Sequence, residues 1–147
     1  MEKLKFILVG CGNIGERHAK LASLKGELLA VCDIDEKKVR QFSEQFQCYG
    51  YTSFEQMIVK KSEADVLLVC TPNGLHASHS IAGLKAGKHV LCEKPMALSV
   101  ADCRKMIAAA SKAKRHLMVV KQNRFNPPVA ALKKLIEKNK LGRIYTI

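Results

Sequence analysis

Six residues near the start of the chain, Gly10-Cys11-Gly12-Asn13-Ile14-Gly15, have the types and the spacing to receive a phosphate. Glycine at the first position permits a turn that a Cβ would resist, and at the second it lets a pyrophosphate approach the backbone. At the third it lets a helix lie close to the preceding strand. The helix opened by this turn offers unpaired N–H groups and the positive end of its dipole to an anion. The spelling G-x-G-x-x-G also occurs in structural loops, so position matters more than letters. Here the turn follows the apolar run Phe6-Ile7-Leu8-Val9 and precedes a helical pattern. A second apolar run, Leu28-Leu29-Ala30-Val31-Cys32, ends at Asp33, where a carboxylate can accept hydrogen bonds from ribose hydroxyls. A dinucleotide is the ligand this arrangement anticipates. Asp33 favours NAD over NADP, because a 2′-phosphate beside it would meet like charge, although Lys37 and Lys38 lie close enough to offset part of that repulsion. The alternative for Asp33 is a turn or helix-capping residue.

Positioning such a site requires a folded core, and 147 residues are enough for one domain. No stretch approaches the length of a transmembrane span, and Met1-Glu2-Lys3 before a short strand-like run does not read as a signal peptide. A cytoplasmic protein with no membrane association is the expectation. The six cysteines, Cys11, Cys32, Cys48, Cys70, Cys92 and Cys103, are dispersed without C-x-x-C or metal-ligand spacing, so no metal site is expected. They read as small buried hydrophobes in a reducing compartment. Cys11 stands apart, since a thiol beside a helix N-terminus can have a lowered pKa and be open to oxidation; filler is the preferred reading there too. The formal charge is +12, and residues 101–147 carry twelve Lys or Arg against two acids. Nucleic acid, an anionic small substrate or an acidic partner surface could each answer such a balance. No aromatic RNA-binding motif or zinc finger interleaves with the charge, so nucleic acid is the weakest reading, and solvated helix faces account for much of it.

Strand and helix patterns alternate along the chain. Residues 36–46 predict a helix with Val39, Phe42 and Phe46 on its apolar stripe, and 48–51 a short strand. Ser53 and Gln56 have capping-box spacing before a short helix at Met57 and Ile58. The continuous run Val66 to Cys70 predicts a strand covered on both faces, ending at Thr71-Pro72-Asn73-Gly74. A helix over 76–86 stops at Gly87, and His89 to Cys92 forms a strand that ends in Glu93-Lys94-Pro95. Ser99 and Asp102 again have capping-box spacing before a stripe of Cys103, Met106, Ile107 and Ala110. A strand over 116–120 leads into Lys121-Gln122-Asn123-Arg124, and Pro127 or Pro128 starts a helix with Ala131 or Leu132, Leu135 and Ile136 on one side. Residues 142–147 read as the start of a further strand. The alternation predicts an α/β doubly wound parallel sheet, in which ligands bind outside the carboxyl ends of the strands. That rule gathers the glycine turn, Asp33, Cys70 to Asn73, Glu93 to Pro95 and Lys121 to Arg124 around one crevice.

These elements resemble the glucose-fructose oxidoreductase and inositol dehydrogenase family (Gfo/Idh/MocA). The resemblance rests on G-C-G-N-I-G at 10–15, Asp33, C-T-P-N and L-H within 70–76, A-G-K-H-V-L-C-E-K-P at 86–95, and K-Q-N-R-F-N-P-P from Lys121. Residues 121–142 are most similar to the branch that oxidises UDP-N-acetylglucosaminuronic acid at its 3-position. The resemblance implies a Rossmann-type NAD-binding domain over 1–147 and hydride transfer from a ring hydroxyl of a sugar or sugar nucleotide to NAD. It further implies that Glu93 contacts the nicotinamide ribose region, and that Lys94 binds the reacting hydroxyl and helps remove its proton. A lysine near a cationic nicotinamide can have its pKa lowered, which suits that task. The alternative for Lys94 is a surface lysine in a strand-to-helix turn. Base rates favour a trans Lys94–Pro95 bond.

Cofactor contacts are expected from Gly10, Gly12, Asn13, Ile14, Gly15, Asp33, Cys70, Thr71, Pro72, Asn73, His76, Glu93, Lys94 and Gln122. Substrate contacts are expected from Lys94 and Arg124, the latter through its planar fork, with a structural ion pair as its alternative. His76, and His79 more so, also read as structural hydrogen-bonding residues under the loop. Members of the family carry a second, C-terminal α+β domain that completes the catalytic site and forms oligomer contacts. The chain ends where that domain would begin, so the expectation is a truncated piece of a homo-oligomeric enzyme that binds cofactor but catalyses poorly alone. The rival reading is a non-catalytic NAD-binding or redox-sensing module.

Overall fold

A parallel strand covered on both faces needs apolar residues at consecutive positions, and Val66-Leu67-Leu68-Val69 meets that demand with all four side chains buried. The computed structural model describes residues 3–146. Its strands are β1 (Lys5–Val9), β2 (Glu27–Cys32), β3 (Tyr49–Tyr51), β4 (Val66–Val69), β5 (His89–Cys92) and β6 (Leu117–Val119). The helices are α1 (Asn13–Lys25), α2 (Glu36–Phe46), α3 (Phe54–Lys60), α4 (His76–Lys85), α5 (Val100–Ala113) and α6 (Pro127–Glu137), with short 3-10 turns at Asn73–Leu75 and Gln122–Phe125. All strand pairs are parallel, in the order β3-β2-β1-β4-β5-β6. This is the doubly wound order, with its switch point between β1 and β4.

Successive strand residues point to opposite faces, so the central strands β1, β2, β4 and β5 supply both cores. On one face Ile7, Val9, Leu67, Val69 and Val90 meet Met57 of α3, Leu84 of α4 and Met106 of α5. On the other, Leu8, Val31 and Leu68 meet Ala19 and Ala22 of α1 and Phe42 of α2. Both capping-box serines act as caps: Ser53 Oγ accepts from the Gln56 amide and Ser99 Oγ from the Asp102 amide.

Gly15 permits the close seating of α1 on β1. A Cβ there would collide with the carbonyl group of Gly10. At Gly10 a positive φ of 101° combines with the nearby Cys70 carbonyl, so only glycine fits the turn.

One expectation at the C-terminal end differs from the structure. Residues 142–146 adopt no strand, and Ile147 lies outside the described residues. A strand exists through its partner, and no described strand pairs with this segment. The α6 helix forms where expected, but it packs chiefly on the 3-10 turn before it, and Leu132 and Leu135 are 42% and 43% exposed. Beside it Phe6, Leu21, Leu68, Leu91, Met118 and Phe125 line an apolar groove of about 560 Å³ on the α1 side of the sheet.

The thiol of Cys11 corrects the idea of a lowered pKa. Burial, followed by the negative charge of Asp33, pushes it up to about 12, outweighing any help from the helix end. Burial also raises Cys32 and Cys48, each to about 11, and raises Cys70 and Cys92. All six cysteines are free.

Iodoacetamide at pH 8 will therefore alkylate the partly exposed Cys103 of the folded chain first and spare Cys11, Cys32, Cys70 and Cys92 until denaturant is added. Peptide mass mapping reads this, and early labelling of Cys11 would contradict its burial. Gly15→Ala is expected to lower stability by about 1–3 kcal/mol through overpacking, measured as a reduced urea midpoint.

Candidate functional site

The register of the sheet assembles the site. Val9 is level with Cys32 and Val69, Cys32 with Tyr51, Val69 with Cys92, and Cys92 with Val119. The residues next in line, Thr52, Asp33, Gly10, Cys70, Glu93 and Val120, therefore leave the sheet in one row. Backbone bonds continue one step beyond the strands. The amides of Asp33, Gly10, Cys70, Glu93 and Val120 donate to the carbonyls of Tyr51, Cys32, Val9, Val69 and Cys92 at 3.2, 2.8, 2.8, 2.9 and 2.9 Å.

Two cavities lie above this row. One, of about 600 Å³, is walled by Gly10, Gly12, Asp33, Ile34, Cys70 and Pro72, with Phe54 and His79 behind. The other, of about 490 Å³, is walled by Ile14, Arg17, His18, Asn73, Glu93, Lys94 and Gln122. Thr71 borders both, so the two cavities adjoin at the switch point.

At the first cavity, Asp33 Oδ2 accepts from the Cys11 amide at 2.8 Å and Oδ1 from the Asp35 amide at 3.0 Å. Asp33 thus ties the glycine turn to the end of β2. A carboxylate oxygen has two acceptor directions, so each retains one for a ligand. The turn-residue reading of Asp33 and the ribose reading are compatible in this geometry. A Cβ at Gly12 would meet nothing within 4 Å, which leaves the backbone open on the cavity side. Deeper in, the His79 ring lies 4.4 Å from Phe54 between centroids, and its Nδ1 is 3.2 Å from Thr71 Oγ1. Burial lowers its pKa, and the Glu55 carboxylate opposes only part of that effect.

At the second cavity, Glu93 is 7% exposed. Its Oε1 lies 2.8 Å from His18 Nε2, and its Oε2 accepts from the Lys94 amide at 3.1 Å. The Lys94 side chain is exposed and lines the cavity. The Lys94–Pro95 bond is cis, contrary to the base rate. His76 is 1% exposed, with Nδ1 2.6 Å from the Pro95 carbonyl and Nε2 2.9 Å from that of Thr71. Both ring nitrogens are thereby engaged with backbone, which is the structural role that the sequence left open for this residue.

Of the residues singled out from sequence, Gly10, Gly12, Asp33, Cys70, Thr71 and Pro72 border the first cavity. Ile14, Asn73, His76, Glu93, Lys94 and Gln122 border the second. Gly15 is buried behind the turn, and Asn13 opens α1 outside the lining of either cavity. Arg124 is exposed in the 3-10 turn Gln122–Phe125 and also lies outside both linings. Arg17 and His18 had not been anticipated. The signal was present, because Ile14, Arg17, His18 and Leu21 are spaced i, i+3, i+4, i+7 and share one helix face.

Residues 4–121 match the family described as an oxidoreductase family with an NAD-binding Rossmann fold. The chain is 34% identical over 145 residues to glucose-6-phosphate 3-dehydrogenase of Bacillus subtilis, covering 97% of this chain and 41% of that protein. It superposes with a TM-score of 0.92 on the WlbA dehydrogenase from Chromobacterium violaceum, solved with NADH and UDP-GlcNAcA, at 40% identity over 99% of this chain and 43% of that one. The Bordetella pertussis WlbA dehydrogenase, solved with the same two ligands, gives 0.92 at 37% identity, covering 98% and 42%. The chain thus spans about two fifths of the length of the relatives it matches. With the glycine turn, the acidic end of β2 and the Glu-Lys-Pro element on one row of a doubly wound sheet, this chain belongs to the Gfo/Idh/MocA family of oxidoreductases and has its NAD-binding Rossmann fold.

Proposed function

We propose that the chain is the cofactor-binding part of a dehydrogenase that oxidises a ring hydroxyl of a sugar or sugar nucleotide. The observation that carries this reading is the row of strand ends, which puts a phosphate-accepting turn, a carboxylate and an exposed lysine along one crevice. The open backbone at Gly12 and the start of α1 suit a pyrophosphate. Asp33 suits the adenosine ribose, and Ile34, Pro72 and Leu75 offer apolar walls for the base. Thr71 and Asn73 lead toward the second cavity, where Glu93, Gln122 and Ile14 flank the nicotinamide end.

When bound, NAD takes up the hydride from the carbon bearing the reacting hydroxyl. Lys94 is the group we assign to hold that hydroxyl and take its proton, because it lines this cavity with an exposed side chain. Arg17 adds positive charge to the same wall and suits an anionic substrate group, as Arg124 would from the neighbouring turn. The chain spans about two fifths of the length of the relatives named above; in this reading the substrate wall and subunit contacts would come from a longer protein of that kind, working in the cytoplasm. Among the described residues no helix is long and apolar enough to cross a membrane.

Titration of the chain with NADH and NADPH, followed by nucleotide fluorescence, is expected to show saturable binding with NADH preferred. Absence of binding to either would sink the cofactor reading, and a preference for NADPH would overturn the role of Asp33. Asp33→Ala is expected to weaken NADH binding by about tenfold or more, from the loss of charge-assisted bonds worth about 1.5–3 kcal/mol. Lys94→Ala should weaken it less, since that amine serves the chemistry. Equal losses would count against this division.

A further inference from the structure

Two histidines that the proposed chemistry leaves unused grip the segment carrying Lys94 from opposite faces of the sheet. His18 comes from α1, which covers one face, and His76 comes from α4, which covers the other. His18 Nε2 is 2.8 Å from Oε1 of Glu93, the residue before Lys94. His76 Nδ1 is 2.6 Å from the carbonyl of Pro95, the residue after it. The opposite nitrogen of His76 is 2.9 Å from the Thr71 carbonyl, at the junction of the two cavities. The remaining oxygen of Glu93 accepts from the Lys94 amide itself. The backbone on each side of Lys94 is therefore tied to buried or half-buried groups, while its side chain is left exposed toward the crevice.

We propose that His18 and His76 are positioning residues that brace the Glu93-Lys94-Pro95 segment and thereby aim the Lys94 amine at the nicotinamide end of the crevice. The proposal rests on the reading of Lys94 given above. A lysine side chain has several rotatable bonds and places its amine poorly unless the backbone beneath it is fixed. Here a carboxylate and a carbonyl, on either side of the lysine, are each held by a ring from a different helix. His18 has a polar reason to be on the Ile14, Arg17, Leu21 face of α1: it donates to Glu93. His76 links Thr71 to Pro95, so displacement of the cofactor wall and displacement of the lysine segment become one event.

The test uses the full 147-residue chain, with lysines carrying 13C-dimethyl labels and the Lys94 resonance assigned through its loss in Lys94→Arg. In the unsubstituted chain, saturating NADH is expected to displace that resonance. His18→Gln keeps an N–H toward Glu93 and should retain the displacement. In His18→Ala and His76→Ala the displacement should fall by more than half at saturating NADH, and exchange of the Lys94 amide should quicken by about tenfold or more. Undiminished displacement in both alanine variants would overturn the brace and leave the lysine reading intact. So would a loss in His18→Gln as complete as in His18→Ala, since that would mark a packing role. A Lys94 resonance that does not move in the unsubstituted chain at saturating NADH would remove the lysine reading and the brace together. If His76→Ala unfolds by circular dichroism, the comparison of His18→Ala with His18→Gln decides alone.

Discussion

The structure depends on the common register of five adjacent parallel pairings. Because side chains alternate with a period of two, a slip of one residue in any strand would turn its buried set to the wrong face. It would also move that strand's terminal residue out of the row. Leu8 and Val9 illustrate the constraint: they serve opposite cores, and together they determine the height at which Gly10 leaves β1. The same demand on β2, β4 and β5 sets the heights of Asp33, Cys70 and Glu93. Residues separated by up to eighty-three positions thus reach one line because the cores beneath them admit one register.

That coupling explains which parts of the molecule were legible in sequence. Long apolar runs such as Val66 to Cys70 and serines at capping positions carry their structure locally, and the rule about carboxyl ends then located the crevice without any knowledge of contacts. Features set by tertiary contact were less visible. Ile14, Arg17 and His18 share a face that periodicity could reveal, yet Arg17 and His18 line the cavity only because α1 packs over β1 and β2, which brings His18 to Glu93 at the end of β5. The Cys11 thiol sits at a helix end, which argues for a lowered pKa. Its burial beside Asp33 is a tertiary fact, and desolvation prevails. Likewise an apolar stripe on α6 shows that the helix has a face to bury but does not say against what.

Asp33 shows how support and recognition can share one side chain. Its two carboxylate oxygens accept backbone amides from Cys11 and Asp35, so the charge that would meet a ribose also ties β2 to the glycine turn. Loss of this carboxylate would leave two partly buried amides unpaired as well as removing a ligand contact. Under the proposed role of Asp33, cofactor selectivity and turn geometry would not be separable at this position. Lys38, across the same cavity, lies 3.8 Å from Asp35 rather than on Asp33, so its charge is partly engaged elsewhere.

Glu93 follows the same logic at the other end of the row. It leaves β5 at the level set by the sheet, and both of its oxygens are occupied, one by a ring from α1 and one by the next residue's amide. The carboxylate is therefore oriented before any ligand arrives, with one acceptor direction left on each oxygen. Lys94, by contrast, has its backbone held and its side chain free. A site that must bind one group and transfer a proton to another benefits from that asymmetry. Rigid neighbours limit where the amine can go, and the exposed stem leaves it able to follow a substrate hydroxyl. Under the proposed role, the cost is that the lysine's aim would depend on contacts from both faces of the sheet, and so on the packing of α1 and α4.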